Sequence, residues 1–414
     1  MICLFLFLLI APAAIFYSQG YRFDLNPPAG GKKIVQTGGL FLKVSPKSAE
    51  IYLDEKLAKK TDFFFGSALI ENLLPGKYKI EIRKAGFFPW QKDLEIKEKE
   101  VTEAKNIVLF PENINFEILS KNVGRYWFSP DEKKIIIYEK GAAEEPGWAL
   151  KLYDLEKNLK SHLINKDDIS PKSADLVNLE WSQDSKEIFL ELGAQEKLKY
   201  FTLEFDKIPP ALTEKAASPP PSEEVVASRL INGKLYLLDN LGHLSENGRR
   251  LTQKSFPVKS ETEYDLEICQ DFIFLREGQT LYQFNPDSKS FEKFFDNIKA
   301  LKISPDDKKM VYFSDSEIWL FFLKESASQP KRKAGEKVFL IRLSEKINNS
   351  LWLNSEYLIF NAGKKIKIAE IDDRDRINIV DVGDFEKPEI FFNQNYKKIY
   401  IFSNGELYAS ETLF

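Results

Sequence analysis

The chain is short of the residues that most often carry chemistry. Its 414 residues include only 2 His, 2 Cys and 2 Met. So few Cys cannot build a disulfide framework, and so few His and Cys exclude most His/Cys metal sites. The Ser-His-Asp and Cys-His constellations are starved of material for the same reason. No G-x-S-x-G elbow, Walker loop, G-x-G-x-x-G, CxxC or HExxH occurs. A basic surplus is missing too. Lys and Arg number 59 against 63 Asp and Glu, for a net charge of -4. That balance argues against a general nucleic-acid binder, so no nucleic acid is expected among the partners.

What is present is aromatic and apolar. The chain holds 33 Phe and 16 Tyr, with 43% hydrophobic and 29% charged residues. This composition suits a folded body rich in strands rather than a disordered one. At roughly 150 residues per domain, the length suggests two or three domains.

The N-terminus reads as a membrane segment. No charged residue precedes Arg22, and the uncharged stretch of 21 residues would span about 31 Å as a helix, enough for a bilayer core of about 30 Å. Residues 1–18 are therefore expected to form a transmembrane signal-anchor, single-pass, with the C-terminal body on the extracytoplasmic side. Two alternatives are a signal peptide cleaved near Ala11-Pro12-Ala13 and a buried core element. Cys3 lies inside the apolar run, where a thiol behaves as a small hydrophobe. Arg22, Lys32 and Lys33 follow the run and, taken alone, favour the opposite orientation. Residues 19–38 combine Pro, Gly and charge and are expected to be a linker.

Residues 39–111 alternate with period two. Leu40 to Val44, Ala49 to Asp54, Tyr78 to Arg83, Asp93 to Ile96 and Val101 to Leu109 read as strands divided by turns at Ser45-Pro46-Lys47-Ser48 and Leu74-Pro75-Gly76-Lys77. Alternation with solvated outer faces predicts a small antiparallel sandwich. The segments SPKSAEIYLDEK and LLPGKYKIEIRKAGFFPWQKDLEI resemble the PEGA family, with Lys47, Ser48 and Glu55 departing from its pattern. The resemblance implies a transthyretin-like or immunoglobulin-like sandwich of prokaryotic cell surfaces, with no catalytic residues. Phe88 and Trp90 could stack on a sugar ring, but plugging one end of a small sandwich is the better-favoured reading.

Residues 112–414 repeat a turn-and-strand unit. Trp127 to Tyr138 is its clearest copy; others begin at Trp181, Leu301 and Phe391, with weaker ones near Ile231, Gln270 and Trp352. A strand ends in Ser, then Pro and Asp make the turn, and Lys-Lys opens the next apolar strand. Seven anchors recur every 44 residues on average, which suits four-stranded blades and suggests a β-propeller of about seven blades, with six or eight as alternatives. Phe116 to Leu119 is expected to complete the last blade and close the array. The unit resembles the TolB-type, WD-repeat-like propeller repeat, with Glu132, Ser185 and Asp307 standing where that repeat has Gly. The Pro-rich stretch 207–226 reads as a flexible loop between blades.

The fold class expected is thus all-β: a transmembrane helix, a PEGA-like sandwich and a propeller of about seven four-stranded blades. No catalytic, cofactor-binding or metal residue is assigned, and no cofactor is expected. His162 and His243 read as surface or turn residues. The pairs Glu144-Glu145, Asp167-Asp168 and Asp372-Asp373 read as solvated loops, and Asp131, Asp184 and Asp306 as turn formers. The function expected is a non-catalytic cell-envelope protein whose propeller binds an unidentified protein or glycan. The alternatives are a propeller hydrolase or lyase acting on envelope glycan or peptide, and a structural surface spacer.

Overall fold

A computed structural model describes all residues except 1–9, 13, 24–33, 142–146, 170–173, 195–196, 206–210 and 216–224. The described residues are almost entirely strands and turns. The chain divides into two compact units. One takes residues 1–114, 299–384 and 413–414, and the other takes 115–298 and 385–412.

The membrane anchor is corrected. Among the described residues no helix is long and apolar enough to cross a membrane. Helical residues lie between 10 and 18, a length that rises only about 13 Å at 1.5 Å per residue. Beyond it the chain turns back on itself, pairing Tyr21–Phe23 antiparallel with Ile34–Gln36. A continuous uncharged run had suggested a spanning helix, but the described helical part is too short for one. Residues 1–9 of the expected anchor, Cys3 among them, lie outside the described residues. A single-pass membrane protein is therefore not supported, and neither is the fold class that included the helix.

In the first unit, residues 38–108 form two packed sheets. One orders Ser67–Leu73, Gly38–Ser45 and Val101–Val108; the other orders Lys56–Lys60, Glu50–Leu53, Gly76–Arg83 and Trp90–Ile96. Alternation drives the packing: Leu40, Leu42, Ile51, Ile80, Ile82, Leu94 and Ile96 are all buried in one core. The sandwich is not wholly antiparallel, because Gly38–Ser45 pairs parallel with Val101–Val108. That last strand enters from the other sheet, so the crossing sets its direction. Lys56–Lys60 is exposed along its whole length, so it carries no apolar alternation to read.

Seven further four-stranded sheets follow in a propeller-like, all-β array. Blades 1 to 6 take residues 123–165, 175–215, 225–250, 264–295, 300–342 and 347–384. Blade 7 takes residues 389–410 and recruits Phe116–Ser120, which pairs with Glu406–Ser410. Blades 5 and 6 belong to the first unit and share an apolar core around Val311, Leu320, Trp352 and Phe360. The other five belong to the second unit. There Leu150, Leu176 and Leu190 join blades 1 and 2, while Tyr153, Tyr400 and Leu407 join blades 1 and 7. Ala211–Lys215, inside the Pro-rich stretch, forms the outer strand of blade 2. The residues flanking it at 206–210 and 216–224 lie outside the described ones.

The repeat turn shows why its sequence recurs. The Ser129 hydroxyl donates to Asp131 at 2.6 Å and accepts from the Lys134 amide at 2.9 Å. Ser182 with Asp184, and Ser304 with Asp306, repeat the arrangement. The next positions, Glu132, Ser185 and Asp307, have φ of 56°, 60° and 55°. These are left-handed conformations in which glycine carries no Cβ penalty. A second device recurs between blades. The Trp181 indole donates to the Trp127 carbonyl at 3.3 Å, and Trp352 donates to Lys302 at 2.9 Å.

Candidate functional site: a charged junction in the first unit

The edge strand Trp90–Ile96 positions the most unusual charge in the chain. Trp90, Lys92, Leu94 and Ile96 share one parity, and all four are buried. Lys92 has no exposed side-chain surface, and its ammonium sits 2.7 Å from the nearly buried Glu370 carboxylate. It also donates to the Asp372 carbonyl at 2.5 Å. A buried ammonium is tolerated only when it is paired and hydrogen-bonded, and blade 6 supplies both.

The network continues outward. Glu370 also accepts from the Trp90 indole at 2.7 Å and from the Asn378 side chain at 2.6 Å. Burial pushes its carboxyl above the usual range, against the pull of Lys92, Trp90 and Asn378. Burial likewise raises Glu356, which pairs with Lys309 at 3.2 Å. Burial works to raise Asp372 as well, but hydrogen bonds from Arg374 and the Lys92 charge hold it below its ordinary value. Arg374 reaches back to the Glu103 carbonyl at 2.9 Å, and Arg332 pairs with both Glu336 and Asp373. The Tyr357 hydroxyl accepts from the Val108 amide at 3.0 Å, tying the last sandwich strand to blade 6.

A cavity of about 170 Å³ lies among these groups, lined by Trp90, Lys309, Arg332, Glu356, Tyr357 and Glu370 among others. Small-molecule sites usually offer about 300–1,000 Å³, so this one is small for a sugar or a peptide. Its raised carboxyls could donate a proton. However, Glu370 and Glu356 are each engaged by a lysine of the same chain.

The residues singled out in the sequence are dispersed. Asp372 and Asp373 are not solvated loop residues, because both anchor junction arginines. Asp167 and Asp168 lie in an exposed 3₁₀ turn capped by Asn165. His162 is half exposed, 3.9 Å from Asp168. The His243 amide closes a turn on Asp239, and its Nδ1 is buried without a partner. Glu144 and Glu145 lie outside the described residues. Trp90 is 3% exposed, so its face is closed to a sugar. Among the described residues no cluster of His, Cys, Asp and Glu could hold a metal ion. The sequence reading missed Lys92, although a lysine at the parity of Trp90, Leu94 and Ile96 is a legible anomaly.

No protein-family model matches the chain, so the PEGA resemblance is not supported. No curated protein matches either. Among solved structures, the chain resembles the β-propeller domain of Cps50 (Swd1) from Myceliophteria thermophila. The identity is 12% and the TM-score 0.41, over 73% of this chain and 99% of that one. At that level the likeness assigns neither a partner nor an activity.

Proposed function

We propose that the protein is a non-catalytic, propeller-like scaffold that binds a protein partner. The observation that carries this reading is the occupancy of its buried charges. Lys92, Glu370, Asp372 and Arg374 direct their hydrogen-bonding groups at one another and at backbone, and the Arg332 terminal nitrogens pair with Glu336 and Asp373 although its Nε is buried without a partner, so none of the five stands free as an acid, base or nucleophile. Repeated sheets leave loops and edge residues as the natural contact surface. Leu230 and Leu241 in blade 3 are 70% and 69% exposed, so they suit site-specific photo-crosslinkers. Crosslinking in cells from both positions is expected to trap one discrete protein, competed by unlabelled protein. Absence of any saturable adduct from either position would remove the scaffold reading. Turnover of a glycan or peptide, lost on Glu356→Gln, would establish the enzyme alternative.

A further inference from the structure

The turn between Lys56–Lys60 and Ser67–Leu73 presents three consecutive phenylalanines to solvent. Phe63, Phe64 and Phe65 are 74%, 75% and 74% exposed. They are not loosely held. Asp62 accepts from the amides of Phe64, Phe65 and Ser67 at 2.9, 2.6 and 2.7 Å, and from the Ser67 hydroxyl at 2.6 Å. The Gly66 amide donates to the Asp62 carbonyl at 3.2 Å. Gly66 has φ of 68°, and a Cβ there would stand 2.3 Å from the Val44 carbonyl, so the turn demands glycine.

Cations surround this tip. Lys59, whose ammonium donates to the Leu69 carbonyl at 2.8 Å, and Lys60, which pairs with Glu50, lead directly into it. Lys43, Lys47 and Phe65 line one open groove of about 450 Å³, in which Glu356 is the one acid against two lysines. Lys84 donates to the Lys47 carbonyl at 2.6 Å. Glu50, a neighbouring acid, is occupied by Lys60 at 2.8 Å.

We propose that the Phe63–Phe64–Phe65 turn is a peripheral insertion tip for an anionic bilayer surface. Two features favour lipid over a protein cleft. The amides of residues 64–67 are satisfied inside the turn, which lowers the cost of bringing this backbone against hydrocarbon. A protein interface instead uses about one hydrogen bond per 100–200 Å². The lysine collar complements lipid phosphates, and long lysine stems allow the ammonium groups to reach them while the rings enter the acyl boundary.

Co-sedimentation of the full chain tests this, using phosphatidylcholine vesicles with about one-third phosphatidylserine against pure phosphatidylcholine. Binding to the anionic vesicles is expected, weakened by salt. It should fall about tenfold or more in Phe63→Ser/Phe64→Ser/Phe65→Ser, and less in Lys47→Glu/Lys84→Glu. Phe64→Trp gives a second readout that spares the fold. Its extra emission, taken as the difference from the unaltered protein, should shift to the blue on adding vesicles. Failure to bind anionic vesicles, undiminished binding by the triple variant, or an unshifted difference emission in Phe64→Trp would each overturn the proposal. Failure on vesicles with a partner still crosslinked through blade 3 would leave the scaffold reading standing and this one fallen.

Discussion

Lys92 and Phe64 belong to the same small sandwich, and each stands on the unexpected side of the surface. Lys92 is wholly buried, whereas Phe64 is 75% exposed. Charged side chains are almost never fully buried unless paired, and exposed aromatic clusters usually mark a contact surface. The two cases differ in what covers them. Glu370 and Asp372 of blade 6 come to Lys92 and make its burial tolerable. Among the described residues nothing comparable covers the phenylalanines. The difference teaches that an inverted residue reports a partner, and that Lys92 already has its own within the chain.

Removing the partner of Lys92 tests the first half of this comparison most severely. Glu370→Ala is expected to cost about 3–5 kcal/mol, because the buried ammonium loses its nearest carboxylate and keeps only Asp372. The double variant Lys92→Met/Glu370→Met should recover much of that loss in urea denaturation. Equal losses in both variants would show that packing, not charge pairing, holds the junction. Tyr357→Phe should be milder, at about 1–3 kcal/mol, since it orphans the Val108 amide but keeps the ring against Phe110. A thermal melt indistinguishable from that of the unaltered protein would mean that water replaces the hydroxyl.

The exposed half should behave oppositely. Phe63→Ser/Phe64→Ser/Phe65→Ser is expected to change stability by no more than about 0.5 kcal/mol, as for surface positions in general. A larger loss in calorimetry would place the rings in the sandwich core and erase the contrast. The smallest effect concerns pH. Hydrogen bonds from Ser67 and the Phe65 amide hold the Asp62 carboxyl at about 2, below its ordinary 3.8. A depressed carboxyl stabilises the fold above the unfolded value, and that contribution is lost as pH falls from 3.8 towards 2. Amide exchange at Phe64, Phe65 and Ser67 should therefore quicken across that window relative to neighbouring strands. Identical acid sensitivity in Asp62→Asn would detach the effect from this carboxylate.

Much of the strand pattern was legible because period two and turn chemistry are local. The Ser-Pro-Asp units, the alternation from Tyr78 to Arg83 and the place of Phe116 to Leu119 in the last blade could all be read directly. What escaped was set by tertiary context. Lys56–Lys60 forms a strand by pairing with Glu50–Leu53 and has no buried face of its own. Asp372 and Asp373 look like any acidic loop until Arg332, Arg374 and Lys92 surround them. The N-terminal run misled because hydropathy measures what a segment tolerates, not where its helix stops. Lys92 was readable as an anomaly of parity, but its partner lies far along the chain, in blade 6.

The pairing of Phe116 with Ser410 also bears on synthesis. Phe116–Ser120 leaves the ribosome early and must wait for Glu406–Ser410 before its sheet exists. Neither compact unit is continuous in sequence, since each resumes after the other has begun. The entropic cost of closing so long a loop grows only slowly with its length, but it is met before the contact offsets it. Translation therefore leaves Phe116–Ser120 without its partner strand until the last blade is made. A substitution that weakens the final strand should show first as a lower yield of folded protein, and only later as a lower melting temperature.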